Sequence, residues 1–165
     1  MSSDKPTKSA KEKPNAYNKA LGLLVRREQS ARELKAKLDR SGYSADESAV
    51  AIDALKSQEY QSDARFAELL ARSRAANGYG PRRIFAELKS HGVNDAEIGA
   101  AIDALECDWR DLGRRQLQRH FGRKPAADVK ERSRRAAFLL RRGFDAATVS
   151  VLTRADIGDP GDEFD

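Results

Sequence analysis

The chain reads LDRSGYS at residues 38–44, LKSHGVN at residues 88–94 and LLRRGFD at residues 139–145. Each stretch begins with a leucine and ends with a glycine, one bulky apolar residue and a residue that favours helix N-caps. A glycine in this position ends a helix, because it enters the left-handed conformation without steric cost. The three glycines, Gly42, Gly92 and Gly143, lie 50 and 51 residues apart. Such regular spacing is typical of repeat proteins, so the sequence predicts three copies of one helical unit.

The apolar residues around these stretches follow the helical period. Ile98, Ala101, Ile102 and Leu105 are spaced i, i+3, i+4 and i+7, which places them on one face of a helix. No stretch alternates apolar and polar residues as a half-buried strand does. Short amphipathic helices cannot bury their apolar faces alone, so neighbouring units are expected to stack. The sequence therefore predicts an all-α fold, an elongated tandem array of three three-helix repeats.

The repeat spacing also predicts the limits of each part of the chain. The three repeats are expected at residues 16–60, 61–108 and 109–154. Residues 1–15 are rich in Lys, Ser and Pro, and residues 155–165 contain five acids and no base. Both ends are therefore predicted to be disordered, the second as an acidic tail.

The net charge of +5 is unevenly distributed along the chain. Residues 16–108 contain 14 Lys/Arg and 15 Asp/Glu, whereas residues 109–154 contain 13 Lys/Arg and 4 Asp/Glu, a balance of +9. Charge of one sign at this density destabilises a small module through self-repulsion unless an anionic partner lies opposite. A solvated basic surface is one interpretation of the third repeat, and a surface for phosphates or for an acidic protein groove is the other.

The cations of the third repeat recur at helical spacing. Lys130 precedes Arg134 by four residues, and Arg134 precedes Arg141 by seven. Residues at these spacings project from nearly the same side of a helix. The residues predicted to face DNA or phosphate are Arg114, Arg115, Arg119, Arg123, Lys130, Arg134, Arg135, Arg141 and Arg142.

Catalysis and metal binding are not predicted. His91 and His120 have no Ser, Cys or carboxylate partner at a recognisable spacing, and Cys107 is the one cysteine. The segment from Gly78 to Gly80 follows a helix and lacks the Lys-Ser/Thr of a phosphate-binding loop. No run of 18 apolar residues and no apolar signal-peptide stretch occurs in the sequence. We therefore expect a cytoplasmic protein without enzymatic activity, catalytic residue, cofactor or metal.

Two blocks of the chain resemble a known family. ALGLLVRREQS at residues 20–30, with Glu33-Leu34 and Lys37-Leu38, is similar to the opening of RecX, the bacterial regulator of the RecA recombinase. DARFA at residues 63–67, RSR at residues 72–74 and GYGPRRI at residues 78–84 resemble the central block of that family. The resemblance covers residues 16–93, and beyond them only architecture and basicity agree. The chain departs from the family pattern at residues 59–62, where the family tends to have a glycine, an apolar residue and acids.

The resemblance implies a function as well as a fold. It implies a non-enzymatic inhibitor that lies in the groove of the RecA–DNA filament and so affects recombination, DNA repair and the SOS response. The expected partners are the RecA filament and single- or double-stranded DNA, without a membrane, and the protein is expected to be a monomer. The residues predicted to face these partners are Arg26, Arg27, Arg65, Arg72, Arg74, Tyr79, Arg82 and Arg83. Arg65 could instead pair with Asp63 or Glu68.

Two other interpretations remain open. In the first, the chain is a DNA-binding helical module that acts through its basic third repeat and reads backbone charge without sequence preference. In the second, it is a helical scaffold for an unrelated acidic protein.

Overall fold

The computed structural model describes residues 13–155 of the chain. These residues form helices α1 (Ala16–Leu24), α2 (Ala31–Arg40), α3 (Ala45–Ser57), α4 (Asp63–Ala76), α5 (Pro81–Ser90), α6 (Asp95–Asp103), α7 (Trp109–Phe121), α8 (Val129–Arg142) and α9 (Ala146–Ala155). Residues 13–155 contain no strand, so the predicted all-α fold of three consecutive three-helix repeats is confirmed. The predicted disordered ends lie outside the described residues, except for residues 13–15 and 155.

Each repeat has its own buried core. In the first, Leu34, Leu38 and Leu55 are fully buried between α1, α2 and α3. The second repeat buries Phe66, Ile84, Leu88, Val93 and Ile98, and the third buries Leu117, Leu139, Phe144, Val149 and Leu152. Named residues that share a helix lie three or four positions apart, such as Ile84 and Leu88, so the cores follow the amphipathic pattern of the sequence.

The three glycine stretches form the same turn. The glycines have φ of 82°, 79° and 90°, in the left-handed region. The N–H of the following apolar residue donates to the leucine carbonyl of the same stretch, from Tyr43 to Leu38 at 3.2 Å, from Val93 to Leu88 at 3.3 Å and from Phe144 to Leu139 at 3.1 Å. This is the Schellman arrangement, which satisfies a helix-end carbonyl and turns an apolar side chain towards the core.

The residue after each turn caps the next helix. The hydroxyl of Ser44 accepts from the N–H of Glu47, and the Glu47 carboxylate accepts from the N–H of Ser44, so α3 begins with a capping box. The Asp145 carboxylate accepts from the N–H of Thr148 at 2.9 Å and from its hydroxyl at 2.7 Å at the start of α9. These two bonds lower the pKa of Asp145 below its ordinary value.

The ionised form of Asp145 is expected to stabilise the third repeat in a pH-dependent way. Because its pKa is lower in the folded state, this contribution is present at neutral pH and is lost as the pH falls below about 4. We expect Asp145→Asn, which keeps a capping side chain but removes the charge, to cost about 0.5–1 kcal/mol at pH 7 and less at pH 3. Urea unfolding of both proteins at the two pH values measures the difference. A cost that stays the same at pH 3 would contradict the assignment.

The chain divides into two compact units. The first ends at Gln61 and contains α1 to α3, and the second begins at Ser62 and contains α4 to α9. Within the second unit, Trp109 of α7 packs against the core formed by α4, α5 and α6, so the second and third repeats share apolar contacts. None of the helices in the described part of the chain is long and apolar enough to cross a membrane.

Candidate partner-binding surface

Two loops of the second unit meet through their backbones. The N–H of Gly80, between α4 and α5, donates to the carbonyl of Arg142 at 2.8 Å, and the N–H of Arg82 donates to the carbonyl of Gly143 at 3.0 Å. A Cβ on Gly80 would lie 2.5 Å from the Gly143 carbonyl carbon, so this approach requires a glycine. We call this contact, formed by residues 77–83 and 141–144, the inter-repeat junction.

Arginine side chains from both sides of the junction surround Tyr79. The guanidinium carbons of Arg83 and Arg142 lie 4.6 Å and 5.0 Å from the centroid of the Tyr79 ring, within the range of cation–π attraction. Arg142 also donates to the carbonyl of Asn77 at 2.9 Å, and Arg83 donates to the carbonyl of Arg141 at 3.4 Å. The junction therefore unites Tyr79 and Arg83, predicted to face the RecA filament or DNA, with Arg142, predicted to face DNA or phosphate.

Arg74 contributes a third guanidinium to the same place. Its Nε and Nη2 atoms donate to the two carboxylate oxygens of Glu87 at 2.8 Å and 2.6 Å. The bonds from Arg74 lower the pKa of Glu87, which therefore stays ionised. Sequence reasoning did not identify Glu87 as an ion-pair partner, because the pair joins α4 to α5 rather than neighbouring turns of one helix.

A second groove of the same unit lies between α4 and α7. It is lined by Arg72 of α4, by Arg115 and Arg119 of α7, and by Cys107 and Asp108 of the segment between α6 and α7. Burial raises the pKa of the Cys107 thiol, so the thiolate that a nucleophile or metal ligand requires is disfavoured. In the part of the chain that the structure describes, no group of His, Cys, Asp and Glu could hold a metal ion.

Most cations of the third repeat are exposed. Arg114 and Arg115 lie 3.3 Å and 3.1 Å from the Asp111 carboxylate in exposed ion pairs, which contribute little to stability. The other exposed members of the predicted set are Arg119, Arg123, Lys130, Arg134 and Arg141. These side chains are accessible to an anionic partner.

Arg135 contradicts its predicted role. Its side chain is 2% exposed, and Nη2 donates to Oε1 of Glu131 at 2.8 Å and to the carbonyl of Lys124 at 2.9 Å. Its guanidinium lies 5.4 Å from the centroid of the Phe121 ring. The prediction that Arg135 faces DNA or phosphate is wrong, because this face of α8 packs against the other residues of the third repeat. Arg134, one position earlier, lies on the solvent side.

The remaining predicted residues lie on separate parts of the two units. Arg26 and Arg27 are exposed just after α1, and Arg27 pairs with Glu33 of α2. In the second unit Arg82 is exposed at the start of α5, whereas Arg65 is half-buried on α4.

Comparison with known proteins gives matches along most of the chain. Family models described as the first, second and third three-helix domains of RecX match residues 16–63, 62–102 and 108–150. The regulatory protein RecX of Xanthomonas axonopodis pv. citri (strain 306) is 43% identical over 141 residues, which cover 86% of this chain and 87% of that protein. The regulatory protein RecX of Stenotrophomonas maltophilia (strain K279a) is also 43% identical, with 86% of each chain covered.

Solved structures agree at the level of the fold. The crystal structure of RecX from Lactobacillus salivarius matches with a TM-score of 0.71 at 20% identity, covering 86% of this chain and 94% of that one. A crystal structure of a regulatory protein RecX matches with a TM-score of 0.72 at 18% identity, covering 84% and 70%.

Proposed function

The chain belongs to the RecX family of regulatory proteins, and from that premise we propose that it is a non-enzymatic inhibitor of the RecA recombinase. It binds in the groove of the RecA–DNA filament and thereby limits recombination, DNA repair and the SOS response. The match of all three repeats to family models is the observation that carries the proposal.

The arrangement of cations in the second unit supports a partner that combines protein and nucleic acid. The inter-repeat junction places Arg83, from the set predicted to face RecA or DNA, beside Arg142, from the set predicted to face DNA or phosphate. Arg82 is exposed next to them at the start of α5. One surface can therefore meet both components of a filament.

Inhibition of RecA is the direct test. We expect the purified protein, at substoichiometric amounts, to slow RecA-dependent ATP hydrolysis on single-stranded DNA. The double substitution Arg72→Glu and Arg82→Glu reverses two exposed charges of the proposed surface and is expected to raise the half-inhibitory concentration about tenfold or more, equivalent to about 1.4 kcal/mol of binding free energy. The assay measures ATP hydrolysis against protein concentration.

The matched control reverses two exposed charges of the first unit. Arg40→Glu with Lys56→Glu alters the net charge equally but lies outside the proposed surface, and should change inhibition less than about threefold. No inhibition by the unsubstituted protein at equimolar concentration would refute the proposed function.

A second candidate function is DNA binding without sequence preference through the third repeat. Exposed Arg119, Arg123, Lys130, Arg134 and Arg141 favour it. Its signature is a logarithm of affinity that falls steeply with the logarithm of salt concentration, because bound cations release counterions from the phosphates. A flat salt dependence would argue against this function.

A further inference from the structure

A polar groove opens at the inter-repeat junction. It is lined by Arg74, Asn77, Tyr79, Arg83, Glu87 and Arg142. All of these residues belong to the second unit, and they come from α4, the α4–α5 loop, α5 and the end of α8. The groove contains three guanidinium groups and one carboxylate.

The three guanidinium groups are held in place before any ligand arrives. Arg74 is fixed by its two bonds to Glu87. Arg142 and Arg83 each donate one bond to a backbone carbonyl, at 2.9 Å and 3.4 Å, and each lies against the Tyr79 ring. Side chains that are already ordered lose little conformational freedom on binding, so less of the interaction energy is spent on ordering them.

Arg83 and Arg142 retain unused hydrogen-bond donors. A guanidinium has five N–H donors in a fixed fork, and each of these two side chains uses one donor in the contacts described above. Glu87 accepts two bonds from Arg74 and is close enough to the Arg83 charge for that charge to lower its pKa as well, so one carboxylate faces three guanidinium groups and the groove keeps a positive balance. The groove thus presents two guanidinium groups with N–H donors that an oxyanion can accept from.

The surroundings of the groove favour a polyanion over a single small anion. Arg82 and Arg141 belong to the junction without lining the groove, and both are exposed. Arg134 lies seven residues, about two helical turns, before Arg141 on α8 and is exposed as well. Several exposed cations on α5 and α8, in addition to the pair in the groove, suit the repeated phosphates of a nucleic-acid strand better than one small anion.

We propose that the inter-repeat junction is a phosphodiester-binding site in which Arg83 and Arg142 grip the backbone of a nucleic-acid strand. The proposal rests on the proposed function, because a protein in a filament groove lies close to the DNA within the filament. It assigns the DNA contact to a site shared by the second and third repeats, rather than to the third repeat alone.

Fluorescence anisotropy with a short fluorescein-labelled oligothymidylate, in the absence of RecA, tests the proposal. We expect the full-length double variant Arg83→Gln, Arg142→Gln to weaken binding about tenfold or more. Two lost phosphate contacts should also reduce the slope of log affinity against log salt by about 1.4, at roughly 0.7 per contact for a single strand. The control Arg32→Gln, Arg40→Gln lowers the net charge equally at exposed positions of the first unit, and should weaken binding less than about threefold.

A second variant distinguishes lost phosphate contacts from misfolding, because Arg83 and Arg142 also make contacts that stabilise the junction. The exposed side chains in Arg82→Gln, Arg141→Gln can be changed without removing those contacts, and this variant should still weaken binding about threefold more than the control does. Equal binding by either junction variant and the control would overturn the proposal. So would competition by polyglutamate as effective as that by unlabelled oligothymidylate, which would identify the occupant as an acidic protein segment.

The outcome is independent of the recombinase assay. If the protein does not inhibit RecA but its junction variants lose affinity for oligothymidylate as expected, the phosphodiester-binding site is supported and the proposed function is refuted. If the protein inhibits RecA but its junction variants bind oligothymidylate normally, the proposed function is supported and the phosphodiester-binding site is refuted.

Discussion

Replacing Gly143 with alanine is expected to lower the free energy of unfolding of the second unit by about 3 kcal/mol. Two effects add. Gly143 has a φ of 90°, a conformation that costs an L-residue about 1–2 kcal/mol. The new Cβ would also lie 2.4 Å from the Cβ of Arg83 and 2.5 Å from its backbone nitrogen. Backbone cannot move aside as a flexible side chain can, so the junction must open or strain, which adds about 1–3 kcal/mol.

The equivalent glycine of the first repeat provides the control. Gly42 has a φ of 82° in the same type of turn, but the nearest atom to an added Cβ is the Lys13 Nζ, at an ordinary 3.5 Å. Gly42→Ala should therefore lower the free energy of unfolding only by the cost of the left-handed conformation, about 1–2 kcal/mol. Urea unfolding followed by circular dichroism measures both variants. Trp109, the single tryptophan, lies in the second unit and reports on Gly143→Ala separately. Equal losses for the two variants would mean that the close approach at the junction adds nothing.

Replacing Arg135 with alanine is expected to destabilise the second unit by about 3 kcal/mol. The substitution removes the bond that satisfies the Lys124 carbonyl in the α7–α8 loop and the ion pair with Glu131. It also leaves a cavity where a 2% exposed side chain packed beside Phe121. Lost hydrogen bonds and a new cavity each contribute to the cost. Tryptophan fluorescence during urea unfolding measures the change.

A substitution of the neighbouring residue, Arg134, distinguishes the effect of burial on stability from the effect of charge. Arg134→Ala removes the same side chain and the same charge from the adjacent position of α8, where the side chain is exposed. This control should change the free energy of unfolding by no more than about 0.5 kcal/mol. Comparable losses at the two positions would show that the charge of α8, and not the buried contacts of Arg135, determines the effect.

Much of the fold follows from local sequence signals. The turns at Gly42, Gly92 and Gly143 and the capping residues Ser44 and Asp145 were all predicted, and the structure has helix boundaries at these positions. Such signals work because a helix end satisfies its backbone groups through residues within one or two turns.

The candidate site was only partly predictable. Arg134 and Arg141, seven residues apart, are both exposed, but the spacing did not indicate that Arg135, the neighbour of Arg134, faces the core. Adjacent residues of a helix differ in direction by about 100°, so the choice depends on what packs against that helix. In this protein Phe121 and the Lys124 carbonyl lie on the Arg135 side.

The sequence by itself determined the helical class, the three three-helix repeats and the three glycine turns within residues 13–155, because these depend on capping, glycine conformation and apolar spacing over a few residues. Only the tertiary structure decided that Gly80 meets Gly143, that Arg74 pairs with Glu87, and which arginines remain accessible. Those outcomes depend on contacts between residues far apart in the chain, and a local pattern carries no information about which distant surface will cover it.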